Sequence, residues 1–236
     1  FLVSLIEIPD GLFNNCPNVT SFQSTFYGCA SLTKLGYIDW FLPSEAELEQ
    51  MYLILHLSGL GGFANDKYWS STEVNSYLSQ LIDFSNYDIY GENKTTLLHV
   101  RACRSFTGTT EDYPLRSIGP AGGYIFAHDS GLVYEAAPSD QSTSQAWSNV
   151  TDVEIGTTHT FIGTGKQNTL DIIGQINHTN SAAKICKDYN IGKIFDNCPL
   201  VTNFYGTFNN CTLLIEIPSN LFDFNINVDS FSYIFA

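Results

Sequence analysis

Residues 193–236, KIFDNCPLVTNFYGTFNNCTLLIEIPSNLFDFNINVDSFSYIFA, decide the fold because the same pattern is written twice within them. Phe195 and Phe222, Val201 and Val228, Phe204 and Phe231, and Phe208 and Phe235 each stand 27 residues apart. A fixed step of this size, with apolar residues at constant offsets and proline-led turns between them, predicts a solenoid. Each coil would hold a short strand and a turn or helical segment. The other end of the chain carries the same pattern, IEIPDGLFNNCPNVTSFQSTFYGCASLTKL at 6–35. The register even runs from the last residue to the first. When SFSYIFA is followed by FLVSLIEIPDGLF, Pro218 and Pro9 fall 27 residues apart, as do Phe222 and Phe13. Solenoid coils are therefore expected at 1–36 and 191–236, the second set continuing in register into residue 1 of the same or an adjacent copy. Met51 is the single methionine and the last residues form an apolar, strand-like run, which fits one period of a longer or polymeric protein. A coil cut there needs a neighbour on each side.

Composition narrows the partners. With 236 residues and 44% hydrophobic content the chain can build a sizeable core. It carries 24 acidic against 10 basic residues, a net charge of -14, and no cluster of Lys and Arg. Counterion release, the main drive for binding nucleic acid, is thus missing, and anionic membrane surfaces are excluded on the same ground. No apolar run approaches the ~20 residues that span a bilayer. The first residues, FLVSLIEIPD, have neither the basic flank nor the small-residue cleavage site of a secretion signal. Aromatics make up 14% of the chain and charged residues only 14%, a balance that favours strands and turns over long helices.

The six cysteines, Cys16, Cys29, Cys103, Cys186, Cys198 and Cys211, include no C-x-x-C pair of the zinc or redox kind. Their even number fits disulfides outside the cytosol; buried free thiols are the alternative. Cys16 and Cys29 mirror Cys198 and Cys211, each pair 13 residues apart. That repetition suggests one bond inside each coil and leaves open a ladder between stacked coils.

Between the coils lies an α+β pattern. Ser44 and Glu47 form a capping box after Pro43, and Leu48, Met51 and Leu55 then fall on one helix face. Past Gly59, Gly61 and Gly62, the segments KYWSST, LSQLIDF and LLHVRACRSF read as strands, with Asn86 to Asn93 as a polar turn. A polar linker, TGTTEDYPLRSI at 107–118, follows. GYIFAHD and LVYEAAP then form a hairpin about Asp129, Ser130 and Gly131, and helices are expected near 169–175 and 181–189.

Two resemblances follow from these motifs. The coils, with LFxxCxxVxxFxxTFxxCxxL, resemble BspA-like, leucine-rich-type repeats of surface proteins. WFLPSEAEL, GGF, YWSSTE and VRACRSF, in that order, resemble the C-terminal domain of Legionella collagen-like adhesins, which is related to C-type lectins. In that family the portion matching 119–190 comes before the portion matching 37–106, so the resemblance implies a domain with its halves in permuted order. The fold expected is thus α+β, a C-type-lectin-like domain interleaved with short leucine-rich-type solenoid coils. The related sulfatase-activating oxidases use paired cysteines. Here Cys103 and Cys186 sit in segments of structural character, and a disulfide tying the two halves is the reading preferred.

Catalytic motifs are weak. GTGKQNT lacks the first glycine of a phosphate loop, since Thr160 holds that place, and Gln167 replaces the magnesium-binding hydroxyl. His56, His99, His128, His159 and His178 share no ligand spacing. Ser70, His99 and Asp83 could be assembled as a triad by hand, without the nucleophile elbow that would support it. The ligand-binding candidates are Trp69, as a ring to stack on sugar, with Glu73, Asp83, Asn86 and Asp88 as oxygen donors, calcium being the cation considered. Arg101 and Arg104 are expected to be satisfied internally. Sequons at Asn18, Asn93, Asn149, Asn177 and Asn210 are candidate glycosylation sites. The function expected is that of a non-catalytic extracellular structural or adhesive protein, on the cell surface or in a filament of head-to-tail copies. The alternatives are a lectin-like module for glycans or proteins and an oxidase of the sulfatase-activating type.

Overall fold

The computed structural model describes residues 7–8, 18–29, 34–35, 37, 39–189, 200–214 and 227–235. They fall into two compact units, one made of Phe1–Ile38 with Asn190–Ala236 and one of Asp39–Tyr189. The second is therefore set into the chain of the first. Nearly all of 37–106, the 107–118 connection and 119–190 belong to this one inserted unit.

In the first unit, β1 (Glu7–Ile8) pairs in parallel with β2 (Lys34–Leu35), which puts Ile8 in register with Leu35 one 27-residue step later. Parallel bridges join Ser21 to Asn203 and Asn203 to Ser230, which stacks three rungs, 18–29, 200–211 and 227–235. Backbone bonding explains the pattern. The amides of Phe22, Ser24, Phe26 and Gly28 donate to the carbonyls of Asn203, Tyr205, Thr207 and Asn209 at 2.8–3.0 Å. Those of Phe204, Gly206 and Phe208 donate to Ser230, Ser232 and Ile234 at 2.9–3.1 Å. The amides between them, such as Thr25, Tyr27 and Cys29, turn back to the carbonyl three residues earlier. Each rung is thus a run of tight turns, which puts residues four apart on one face and accounts for the paired phenylalanines. The turns also need left-handed backbone at a fixed place, and Ser24, Gly206 and Tyr233 take it in turn, with φ of 56°, 62° and 55°.

The rings stack along the rungs. Phe22, Phe204 and Phe231 are spaced by 5.8 Å at each step, and Phe26, Phe208 and Phe235 by 5.3 and 5.4 Å. Phe22, Phe26, Phe204 and Phe208, together with Ile8, Cys29, Val201 and Cys211, form this unit's core, and burial of each of these four phenylalanines contributes about 1.5–3 kcal/mol. Ser21 and Ser230 lie on opposite sides of Asn203, so the first and last described rungs of a chain are separated by the middle one. The expected continuation from Ala236 into Phe1 falls on residues outside those described.

The inserted unit is a mixed α+β body. Its five-stranded sheet has the order β10-β6-β3-β4-β5, formed by β3 (Lys67–Glu73), β4 (Leu78–Asp83), β5 (Asp88–Asn93), β6 (Leu98–Val100) and β10 (Ser142–Gln145). A second sheet, β7-β9-β8, uses β7 (Cys103–Thr107), β8 (Tyr124–Asp129) and β9 (Leu132–Ala136). α1 (Glu45–Gln50) begins with the expected capping box on Ser44 and Glu47 and runs on as a π-helical turn over Met51–Leu55. Leu48, Met51 and Leu55 are fully buried on one face. Gly59, at φ 68°, closes the segment in the left-handed conformation that a β-carbon disfavours.

Three readings change. LLHVRACRSF is two strands, broken at Arg101 and Ala102, where the chain crosses from one sheet to the other. Residues 88–93, read as turn, form β5, which pairs with β4 along its whole length at the edge of the sheet. The helices are α2 (Gly165–Ile173) and α3 (Ala182–Lys187), the latter capped by Ser181.

Candidate functional site

Asp140, in the loop between β9 and β10, gathers a cluster of Tyr, His and Arg side chains in the inserted unit. Tyr68 Oη donates to its Oδ2 at 2.9 Å, His99 Nδ1 lies 2.9 Å from the same oxygen, and Arg101 Nε donates to Oδ1 at 2.7 Å. Strands β3 and β6 supply Tyr68 and His99 at paired positions of their parallel bridge. Arg101 also donates to the carbonyls of Gly61 (2.7 Å) and Ala137 (3.0 Å) and lies 4.1 Å from the centroid of the Phe63 ring. Burial raises the Tyr68 hydroxyl above its ordinary range. His99 Nε2 faces the exposed carboxylate of Asp66 at 3.6 Å. Phe63 in turn helps to line a cavity of about 280 Å³ with His56, Gly59, Leu60, Gly62 and Asn65.

This geometry orients an imidazole between two carboxylates and gives it no nucleophile. Ser70, His99 and Asp83 belong to separate networks. Ser70 Oγ donates to the Gln80 carbonyl at 2.9 Å, and Asp83 accepts from Ser85 Oγ at 2.6 Å. The residues that hold His99 were not legible as a site, because Asp140 stands 41 positions away. The only sequence signal was the expectation that Arg101 has an internal partner.

Two of the ligand candidates, Trp69 and Glu73, are taken up by partners inside the fold. Trp69 is fully buried and donates Nε1 to the Gln145 carbonyl at 3.0 Å, which removes it as a sugar platform. Glu73 pairs with the fully buried Lys94 at 2.5 Å and accepts the amides of Ile155 (2.8 Å) and Gly156 (3.1 Å); Lys94 lies 4.9 Å from the Trp147 ring centroid. Asp83, Asn86 and Asp88 do share the β4–β5 turn, but Asn86 Nδ2 donates to Asp88 and Asp83 is capped by Ser85. Among the described residues no three His, Cys, Asp or Glu side chains form a group able to hold a metal. Arg104 is satisfied internally, between Asp39 and Glu135.

The loop that mimics a phosphate binder has a ligand already. Gly163 and Ser44 amides donate to the two oxygens of Glu47 at 2.8 and 2.7 Å. A β-carbon on Gly165 would come 2.2 Å from Glu47 Oε2, so this glycine is required by the carboxylate. Burial nevertheless outweighs those donors and pushes Glu47 up to about 7.

The four described cysteines are free thiols. Cys103 and Cys186 are fully buried and unbonded, in place of the expected crosslink, and burial holds both well above the ordinary thiol range. Cys16 and Cys198 lie outside the described residues, so bonds within each coil do too. Cys29 and Cys211 occupy equivalent places on adjacent rungs, and Cys211 Sγ donates across them to the Phe26 carbonyl at 3.1 Å. All five sequon asparagines are exposed. Asn149 uses both ends of its amide on the 177–180 turn, an arrangement a glycan would break.

A second concavity, about 650 Å³, lies beside α2 and is walled by Val150, Val153, Leu170 and Ile176. Gln175 Oε1 is buried beside it with no hydrogen-bond partner. No helix among the described residues is long and apolar enough to cross a membrane. No family model matches the chain, and neither a curated protein nor a solved structure gives a significant match to it.

Proposed function

We propose that this chain is a non-catalytic extracellular structural or adhesive protein, in which a C-type-lectin-like body is carried by leucine-rich-type solenoid coils that add head to tail. The observation that carries the reading is the last described rung. Phe231 and Phe235 are 43% and 41% exposed, whereas Phe204 and Phe208, one step inward, are 0% and 1% exposed. The amides of Tyr233 and Phe235 hold the positions from which Gly206 and Phe208 bond the next rung. An apolar face with strand-like donors is a template for another rung. A second copy is the occupant chosen, because the 27-residue step carried across the ends puts Phe22 opposite Phe231. In the inserted unit, buried charges neutralised by fixed partners suit a scaffold better than a reaction centre.

Light scattering after size exclusion tests this with Phe235→Asp, which changes an exposed ring. The wild type should grow in mass with concentration and the variant should remain at the mass of one chain. Equal masses for both would reject the reading. The groove beside α2 favours a second reading, a module that binds an apolar segment offering one hydrogen-bond donor to Gln175.

A further inference from the structure

We infer that Cys29 and Cys211 are an oxidation site, closing a disulfide between neighbouring rungs that staples together the chain before and after the inserted unit. The stack sets the two residues at the same place. Phe26 lies on Phe208 with centroids 5.3 Å apart and planes within 5°. Three residues on, Cys29 N donates to the Phe26 carbonyl at 3.2 Å and Cys211 N to the Phe208 carbonyl at 3.1 Å, so both cysteines leave the same kind of turn. The Gly28 amide donates across the rungs to Asn209 at 2.8 Å, which holds the turns in register up to the sulfurs. Cys211 Sγ reaches across the rungs to the Phe26 carbonyl at 3.1 Å, the same carbonyl that accepts the Cys29 amide. Rungs about 4.8 Å apart fall inside the Cα separation of roughly 4.4–6.8 Å that a disulfide accepts.

The chemistry balances with a small disulfide such as oxidised glutathione. A thiolate of Cys211 attacks it, expelling one glutathione thiolate and leaving a mixed disulfide. Cys29 then attacks the protein-borne sulfur and expels the second, so two cysteine thiols become one bond as one glutathione disulfide becomes two thiols. Both thiols are buried in the folded rungs, and burial raises both above the ordinary value. Thiolate is therefore scarce and exchange is slow once the stack has closed. The bond then forms while the rungs assemble and resists reduction afterwards. The loop it closes runs from 29 to 211 and contains the whole inserted unit. Tension along the rungs would pass through the sulfurs and bypass that unit, whatever the protein binds.

The test is peptide mapping of the full chain refolded in a glutathione redox buffer, alkylated in denaturant and digested without reductant. The linked peptides should join Cys29 to Cys211. Cys16→Ser should leave that species in place and Cys29→Ser should remove it. Alkylation of both Cys29 and Cys211 after oxidising refolding would overturn the assignment. So would a dominant link of Cys29 to Cys16 or of Cys211 to Cys198.

Discussion

Glu47 shows how a capping residue legible in the sequence can take its chemistry from a distant part of the chain. Its capping role is written in the spacing from Ser44, but the amide of Gly163 that also holds it comes from 116 residues away. The folded value of about 7 lies above the ordinary 4.5. Below 4.5 both folded and unfolded chains hold the proton. As pH rises from 4.5 to 7 the unfolded chain ionises first, so stability falls, by about 3 kcal/mol at about 1.4 kcal/mol per pH unit, and levels off above 7. Urea unfolding from pH 4.5 to 8 should show this decline in the wild type and lose most of it in Glu47→Gln, which keeps a capping side chain. Lys94 and Glu73 make the second residue-scale case. Glu73→Gln strands a fully buried ammonium and should cost about 3–5 kcal/mol, whereas Glu73→Gln with Lys94→Met should recover much of the loss. Chemical denaturation of the single and double variants measures both.

At the scale of elements, alternation and caps carried most of the information. The β8–β9 hairpin was legible because Ser130 and Gly131, both at positive φ, mark its turn. The helix over 45–55 was legible because three apolar residues fell on one face and Gly59 stopped it. β5 was missed because its polar, edge-strand composition mimics a loop. The break at Arg101 was missed because its cause is tertiary: the guanidinium is held by Asp140, Gly61 and Ala137. Close packing at the start of α2 gives a further prediction. Gly165→Ala would press its β-carbon to 2.2 Å from Glu47 Oε2 and 2.9 Å from the Leu42 carbonyl, so it should cost about 2 kcal/mol or more. Gly156→Ala, at φ 70° with open space around it, should cost only the left-handed penalty of about 1 kcal/mol. Thermal unfolding of the two variants compares them directly.

For the whole molecule, the 27-residue register was the sequence's clearest message, and the described rungs follow it across an interruption of 151 residues, Asp39–Tyr189. Which sulfurs face each other was not legible, since spacing within a coil and stacking between coils predict different neighbours. The two ends of the stack also differ. Phe22 and Phe26 in the first rung are only 5% and 3% exposed, against 43% and 41% for Phe231 and Phe235 in the last. Addition of a copy must open a covered rung before closing an exposed one, so assembly should begin after a lag that added seeds abolish. Turbidity at several concentrations, with and without preformed assemblies, would show it. The most direct measurement of the proposed architecture is electron cryomicroscopy of the assembled protein. With the three described rungs of each copy at about 4.8 Å apiece, a head-to-tail stack should rise by about 14 Å per chain, with the 227–235 rung of one copy against the first described rung of the next. Particles of one chain at every concentration, or assemblies joined only through 39–189, would contradict it.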